Sequence, residues 1–275
     1  MPAIHPESKR LLDAMLSTEP HALLLTGPVG IGLTALAQYL TEKNKAEQTV
    51  VLPEKNDHVD LEKGTITVES IRRLYDLTRT HTPRGRVIVI DYAERMAPVA
   101  QNAFLKLLEE PTSGTRFILL THQPELLLPT ITSRSQRVDV RPITVEQSEM
   151  LLTDLGVTDV TKRAQLLFIA TGLPALLTKL VGDTELFEAR AGLVKDARSL
   201  ITGSPYERLL IAKKYKDSRT DALVLLEDAL KLLQRTIAQN GDVASLRMAA
   251  RFEALHKRLS EQGNVRLQLS ATIMV

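Results

Sequence analysis

Residues that could hold a phosphate group stand in the stretch LTGPVGIGLTAL, 25–36. Gly27, Gly32 and Thr34 take the spacing of the loop pattern G-x-x-x-x-G-K-[ST]. In such a loop, backbone N–H groups and the N-terminus of the following helix surround the anion. The lysine reaches the outer phosphates and the hydroxyl residue reaches a magnesium ion. Gly27, Gly30 and Gly32 supply the tight backbone path and Thr34 the hydroxyl, but Leu33 occupies the lysine position. An alkyl side chain makes no charge-assisted contact to phosphate. Two readings stay open at this point: a weakened phosphate site, or a glycine turn without phosphate affinity.

A second candidate is RVIVIDYAERM, 86–96, an apolar run ending in Asp91. A carboxylate at the end of such a strand holds magnesium, usually through water, as in a Walker B strand. Phosphoryl transfer to water also needs a group that orients the nucleophile. The next position, where a glutamate would serve, is Tyr92, whose phenol is no base at neutral pH. Glu94 falls two residues late. The plainer reading of Asp91 and Glu94 is a pair of solvated acids at a strand end. With both the lysine and the glutamate missing, the pattern is that of a poor hydrolase.

These residues need elements to position them. Up to about Pro142, short apolar runs alternate with helical patterns: 21–26, 49–52, 86–90, 116–121 and 137–140. The first, third and fourth are continuously apolar, as in strands of a parallel sheet covered on both faces. Between the third and fourth, Ala100, Phe104, Leu107 and Leu108 share a helical face that Pro111 ends. Alternation of this kind predicts a wound α/β domain. Beyond Pro142 the patterns are helical. One helix starts at Thr144 as N-cap and stops at Gly156. Others carry stripes at Leu223, Leu226, Leu230, Leu233 and Ile237, and at Met248, Phe252, Leu255 and Leu259. Such stripes are bundle core rather than ligand sites. Periodicity alone leaves the tail, 264–275, undecided between strand and helix.

Composition sets the outer limits. A chain of 275 residues suits two or three domains. Its hydrophobic content is 44% with no apolar run approaching the ~18 residues of a membrane span, so no membrane segment is expected. The start, MPAIHPESKRLL, lacks the layout of a secretion signal, and a cytoplasmic location is expected. The absence of cysteine excludes disulfides, thiolate zinc sites and cysteine nucleophiles. A formal charge of +2 and the lack of tryptophan give no strong reason to expect nucleic-acid binding by this chain alone.

The run VIVIDYAERMAPVAQNAFLKLLEEPTSGTRFILLTHQPELLLPTITSRSQRVDVRPI resembles the core of bacterial DNA polymerase III clamp-loader subunits. Within that family it is most similar to the delta-prime type, the non-hydrolysing relative of the gamma/tau motor. The match rests on QNAFLKLLEEP, on FILLTHQPELLLPTI, and on SRS at 133–135, where the family has Ser-Arg-Cys. It is strong over about 86–142, fair over 21–43 and weak beyond 185. The family often inserts a cysteine-ligated zinc module between the two nucleotide motifs; this cysteine-free chain does not carry it, and Ser135 replaces the motif cysteine.

The resemblance implies an α/β class fold: an AAA+ parallel-sheet domain over 1–142 with a degenerate P-loop, a small helical lid over 143–185, and an all-α collar over 186–275 that joins subunits into a ring. It also favours a helix for the tail. Arg134 matches the arginine that reaches, in trans, the ATP of a neighbouring subunit, a role suited to a guanidinium; the bland alternative is a solvated basic edge with Arg137 and Arg141. Thr121 or His122 matches the sensor-1 position, and Ala175 falls where motor subunits carry the sensor-2 arginine. The implied nucleotide site of this chain, made of Gly27, Gly30, Gly32, Thr34, Asp91 and Thr121, is weak or inactive. No tightly bound cofactor and no metal are expected, since ATP and magnesium belong to the neighbour. The implied partners are gamma/tau-type motor subunits, the delta subunit, the sliding clamp and, through the complex, primer-template DNA. Two alternatives are an active AAA+ motor subunit and a purely structural adaptor.

Overall fold

The computed structural model describes residues 2–18, 20–61, 63–79, 82–261 and 264–273. The chain divides into two compact units, Met1–Lys179 and Leu180–Val275.

The first unit is built on a five-stranded sheet. Its strands are β1 (Ala22–Thr26), β2 (Glu47–Val51), β5 (Arg86–Ile90), β6 (Thr115–Thr121) and β7 (Gln136–Asp139). They lie in the order β2-β5-β6-β1-β7, every neighbouring pair parallel. Two short strands, β3 (Glu54–Lys55) and β4 (His58–Val59), make a separate antiparallel hairpin. The continuous apolar runs of β1 and β5 are buried along their whole length, because helices cover both faces of the sheet.

The two helical layers follow from alternation along the strands. Leu24, Ile88, Ile90, Phe117 and Leu119 face one layer, with Ile71 and Leu74 of α3 (Val68–Arg79) and Phe104, Leu107 and Leu108 of α4 (Pro98–Glu109). Phe104 meets Phe117 edge-on, with ring centroids 5.2 Å apart. Leu23, Leu25, Val87, Val89, Ile118 and Leu120 face the other, with Leu12 of α1 (Pro6–Leu16) and Leu36 and Leu40 of α2 (Leu33–Lys43). The four residues read as one face of α4 are all buried.

After α5 (Pro129–Thr132) and β7, the unit continues in α6 (Val145–Asp154), α7 (Val160–Ala170) and the start of α8 (Pro174–Gly182). Thr144 caps α6 as its spacing predicts, in a reciprocal capping box with Gln147. Gly172 donates its N–H to the Ser148 hydroxyl at 3.0 Å and accepts from Ile143 N–H at 3.0 Å. These bonds fix the turn from which α8 starts.

The second unit is helical: α9 (Thr184–Thr202), α10 (Pro205–Lys214), α11 (Arg219–Asn240), α12 (Val243–Ser260) and α13 (Val265–Ile273). Its core gathers Leu200, Leu225, Leu226, Leu233, Phe252, Leu255 and Leu259. The buried line of α11 runs through Ala222, Leu225 and Ala229 as well as Leu226 and Leu233, whereas Leu223 and Leu230 pack at its margin. Asp228 is completely buried in this bundle and takes two hydrogen bonds from the Arg190 guanidinium, at 2.6 and 3.1 Å. The tail over 265–273 is a helix, and 274–275 lie outside the described residues.

Candidate functional site: the strand ends around the glycine loop

Because β5, β6 and β1 are neighbours and parallel, the segments that leave their C-terminal ends meet at one edge of the sheet. β1 leads into the glycine loop, β5 into Asp91, and β6 through Thr121 into His122. Ligand sites in open α/β sheets form at this edge.

The loop runs from Gly27 to Gly32, which caps α2 without a side-chain hydrogen bond. Gly30 and Gly32 have φ of +88° and +94°, a conformation that L side chains rarely adopt. Leu33, at the lysine position, is 3% exposed and belongs to the core layer with Leu12, Leu36 and Leu40. The missing ammonium is thus replaced by an apolar side chain packed into the core.

The start of α8 lies directly against this loop. Leu176 donates its backbone N–H to the Gly30 carbonyl at 3.1 Å, so the loop satisfies one of the orphan donors of the helix N-terminus. A Cβ on Gly30 would fall 2.8 Å from the Leu176 Cβ, and one on Gly32 would fall 3.2 Å from the Ala175 Cβ. Ala175, the residue matched to a sensor-2 arginine, therefore does sit beside the loop, where its methyl group packs. A cavity of about 480 Å³ flanks the contact, lined largely by apolar side chains that include Ile31, Val140 and Ile143.

Thr34 and Asp91, the two candidate magnesium ligands, are bonded to each other. The Thr34 hydroxyl donates to Asp91 Oδ2 at 2.8 Å, and Tyr92 N–H donates to Oδ1 at 2.9 Å. Asp91 is buried. Desolvation raises its carboxyl above the ordinary aspartate value, partly offset by these two hydrogen bonds. Tyr92 is held in the left-handed region, φ 54° and ψ 50°. Burial and the nearby Asp91 and Glu94 carboxylates raise its phenol further, so it stays neutral at physiological pH.

His122 and Glu94 join the group through contacts that their sequence positions do not announce. The His122 Nδ1 lies 2.7 Å from the Gly27 carbonyl, which can only accept, so the ring donates from that nitrogen. His122 backbone N–H donates to Glu94 Oε1 at 3.4 Å, and its ring meets Tyr92 edge-on at 5.9 Å. Glu94 Oε2 is a buried oxygen without a hydrogen-bond partner among the described residues. Thr121 is fully buried, and its hydroxyl accepts the Gln123 N–H at 3.1 Å. Of the two sensor-1 candidates, His122 hydrogen-bonds the loop through its ring, and Thr121 pairs with Thr26 just before it.

Arg134 is not part of this group. It follows α5, where its backbone N–H donates to the Ile131 carbonyl at 3.2 Å, and its side chain is 39% exposed. Nη2 lies 2.9 Å from Glu109 Oε1, and Nη1 donates to the Thr130 carbonyl at 3.3 Å. Its two neighbours in the basic edge have other partners: Arg137 pairs with Asp139, and Arg141 with Glu7. The three arginines therefore occupy separate ion pairs.

Residues 4–144 match the family described as DNA polymerase III, delta subunit. The chain is 33% identical over 202 residues to the DNA polymerase III subunit delta′ of Pseudomonas aeruginosa, a match covering 66% of this chain and 61% of that protein. The chain thus spans less than two thirds of that relative's length. A DNA polymerase III gamma subunit-related protein of Thermotoga maritima superposes with a TM-score of 0.60 over 97% of both chains at 19% identity. The RuvB Holliday junction branch migration motor of the same organism gives 0.52 at 16% identity, over 85% of this chain and 76% of that one. At these identities the structural likeness is one of fold, and it places the sheet and its helices in the AAA+ type. With its family match and its delta-prime relative, the chain belongs to the DNA polymerase III delta-subunit family and is of the bacterial delta-prime type.

Proposed function

We propose that the protein is a non-hydrolysing subunit of a replicative clamp loader that supplies Arg134 to the ATP site of a neighbouring subunit. In this reading gamma/tau-type motor subunits turn over ATP. The complete hetero-oligomeric ring, with a delta subunit, opens a sliding clamp and closes it on primer-template DNA. The observation that carries the proposal is the fate of position 33. Where a phosphate loop needs an ammonium, Leu33 is packed into the core, while a guanidinium stands partly exposed at Arg134. A charge missing from its own loop and present on the surface suits work on another subunit's phosphates.

The test is ATP turnover by the complex reconstituted with motor subunits, delta, clamp and primed DNA. Arg134→Ala is expected to lower turnover at the adjoining site by on the order of 10³, with assembly by gel filtration unchanged. Unaltered turnover would leave a structural adaptor.

A second reading, intrinsic hydrolysis, draws on Glu94, whose buried Oε2 has no hydrogen-bond partner among the described residues and whose carboxylate lies near Asp91. It requires turnover by the isolated chain that Glu94→Gln abolishes.

A further inference from the structure

Glu109 is the last residue of α4, and Arg134 follows α5, so the two reach each other from different helices. Glu109 Oε1 and the Thr130 carbonyl engage Nη2 and Nη1 of the same guanidinium, at 2.9 and 3.3 Å. A guanidinium has five N–H donors in a planar fork. Two anchors leave the remaining donors without a partner among the described residues, open to an anion from outside. Both side chains are about half exposed, at 39% for Arg134 and 49% for Glu109, so the pair adds little to stability. Its effect is orientation: the pair biases an arginine otherwise free to sample many rotamers toward one arrangement before any partner arrives. The backbone beneath it is anchored as well, with Ser135 donating its hydroxyl to the Ile131 carbonyl at 3.0 Å.

We propose that Glu109 is the positioning residue of Arg134, fixing the guanidinium so that its open edge faces the phosphate of a neighbouring subunit. This rests on the trans-acting role of Arg134 proposed above and adds a residue to it. The carboxylate acts through the arginine and touches no nucleotide. A group that orients a transition-state contact changes the maximal rate more than the apparent affinity for substrate.

The experiment uses the full reconstituted complex and compares Glu109→Ala, Glu109→Gln, Arg134→Ala and the double variant Glu109→Ala/Arg134→Ala. Assembly is checked for each. Glu109→Ala is expected to lower kcat about tenfold, with KM for ATP within about twofold of the parent, because misplacement of a catalytic contact acts on the rate. Glu109→Gln keeps an oxygen acceptor for Nη2 and is expected to restore most of the rate. The double variant is expected to match Arg134→Ala alone, the signature of one residue acting through the other. If Arg134→Ala is defective while Glu109→Ala turns over at the parental rate or faster, the positioning role is wrong and the trans-acting arginine stands. If the double variant is clearly worse than Arg134→Ala, Glu109 acts independently and the inference also fails. If Arg134→Ala turns over normally, both proposals fall.

Discussion

The Thr34 hydroxyl donates a hydrogen bond to Asp91 Oδ2 at 2.8 Å, joining two motifs that stand 57 residues apart. The hydroxyl spends its proton on this bond and keeps its lone pairs, and the bond ties the glycine loop's helix to the end of β5.

Burial, which outweighs this bond, gives Asp91 a definite pH signature. Its folded carboxyl is raised above the ordinary value, first by burial. The sign follows: the folded state holds the proton more tightly, so this group favours folding at acid pH. That contribution is lost as pH rises from the ordinary aspartate range through the folded value. Asp91→Asn removes the buried charge, and an amide can accept from Tyr92 N–H while donating to the Thr34 hydroxyl. The variant is expected to be as stable as the parent or up to about 1 kcal/mol more stable at pH 7. The gap should narrow in acid, as read by thermal unfolding at several pH values. A loss above 2 kcal/mol at pH 7 would show that the carboxylate makes a contact the present geometry lacks.

Restoring the loop pattern should not restore the loop. Leu33 is 3% exposed within an apolar layer, so Leu33→Lys must bury an ammonium or pull the helix start away from the core. It is expected to cost about 2–4 kcal/mol, against less than 1.5 for Leu33→Met. Calorimetric titration with Mg-ATP is expected to show no gain in affinity. Tight binding by the lysine variant would mean that the side chain turns out to the phosphates.

The packing of α8 on the loop can be isolated with two glycines. Gly30 and Gly156 both have positive φ, at +88° and +73°, so alanine carries a similar backbone penalty at each. Of the two, the new Cβ collides at Gly30, 2.8 Å from the Leu176 Cβ, whereas at Gly156 nothing among the described residues lies within 4 Å. Gly156→Ala is expected to cost about 1–2 kcal/mol, and Gly30→Ala at least 1 kcal/mol more. Denaturant unfolding of the two variants measures the difference. Equal losses would place α8 away from the loop in solution.

In the helical unit, Arg190→Met would leave the completely buried Asp228 with Lys231, at 3.6 Å, as its one cationic partner among the described residues. A loss of about 3–5 kcal/mol is expected. The double change Arg190→Met/Asp228→Leu removes both charges together and is expected to recover much of it, so the two losses should not add. Strict additivity in urea unfolding would deny the coupling.

Much of the architecture was legible in local pattern. Continuous apolar runs announced buried parallel strands, and β1 and β5 are buried throughout. Spacing alone identified the core face of α4, and Thr144 was readable as a cap because capping chemistry lies within one turn. The tail was different: its apolar residues fit two periods, and family resemblance rather than periodicity pointed to the helix found over 265–273. Leu33 was visible as a missing lysine, yet its burial in the core layer was not, since a single apolar residue at a helix start fits either surroundings.

Tertiary structure alone decided which polar groups meet. The placement of β6 between β5 and β1 brings His122 to the Gly27 carbonyl, 95 residues away in sequence, and sets Glu94 against the His122 backbone N–H. Hydrophobic periodicity records which face of an element is buried, but strand order depends on how whole elements pack. Side chains at strand ends therefore find partners that no local window contains. The same holds for Glu109 and Arg134, which two separate helices bring to one ion pair, and for Leu176, whose N–H closes on Gly30. The sequence by itself determined the layers and the missing charge; the packing of those layers determined what took its place.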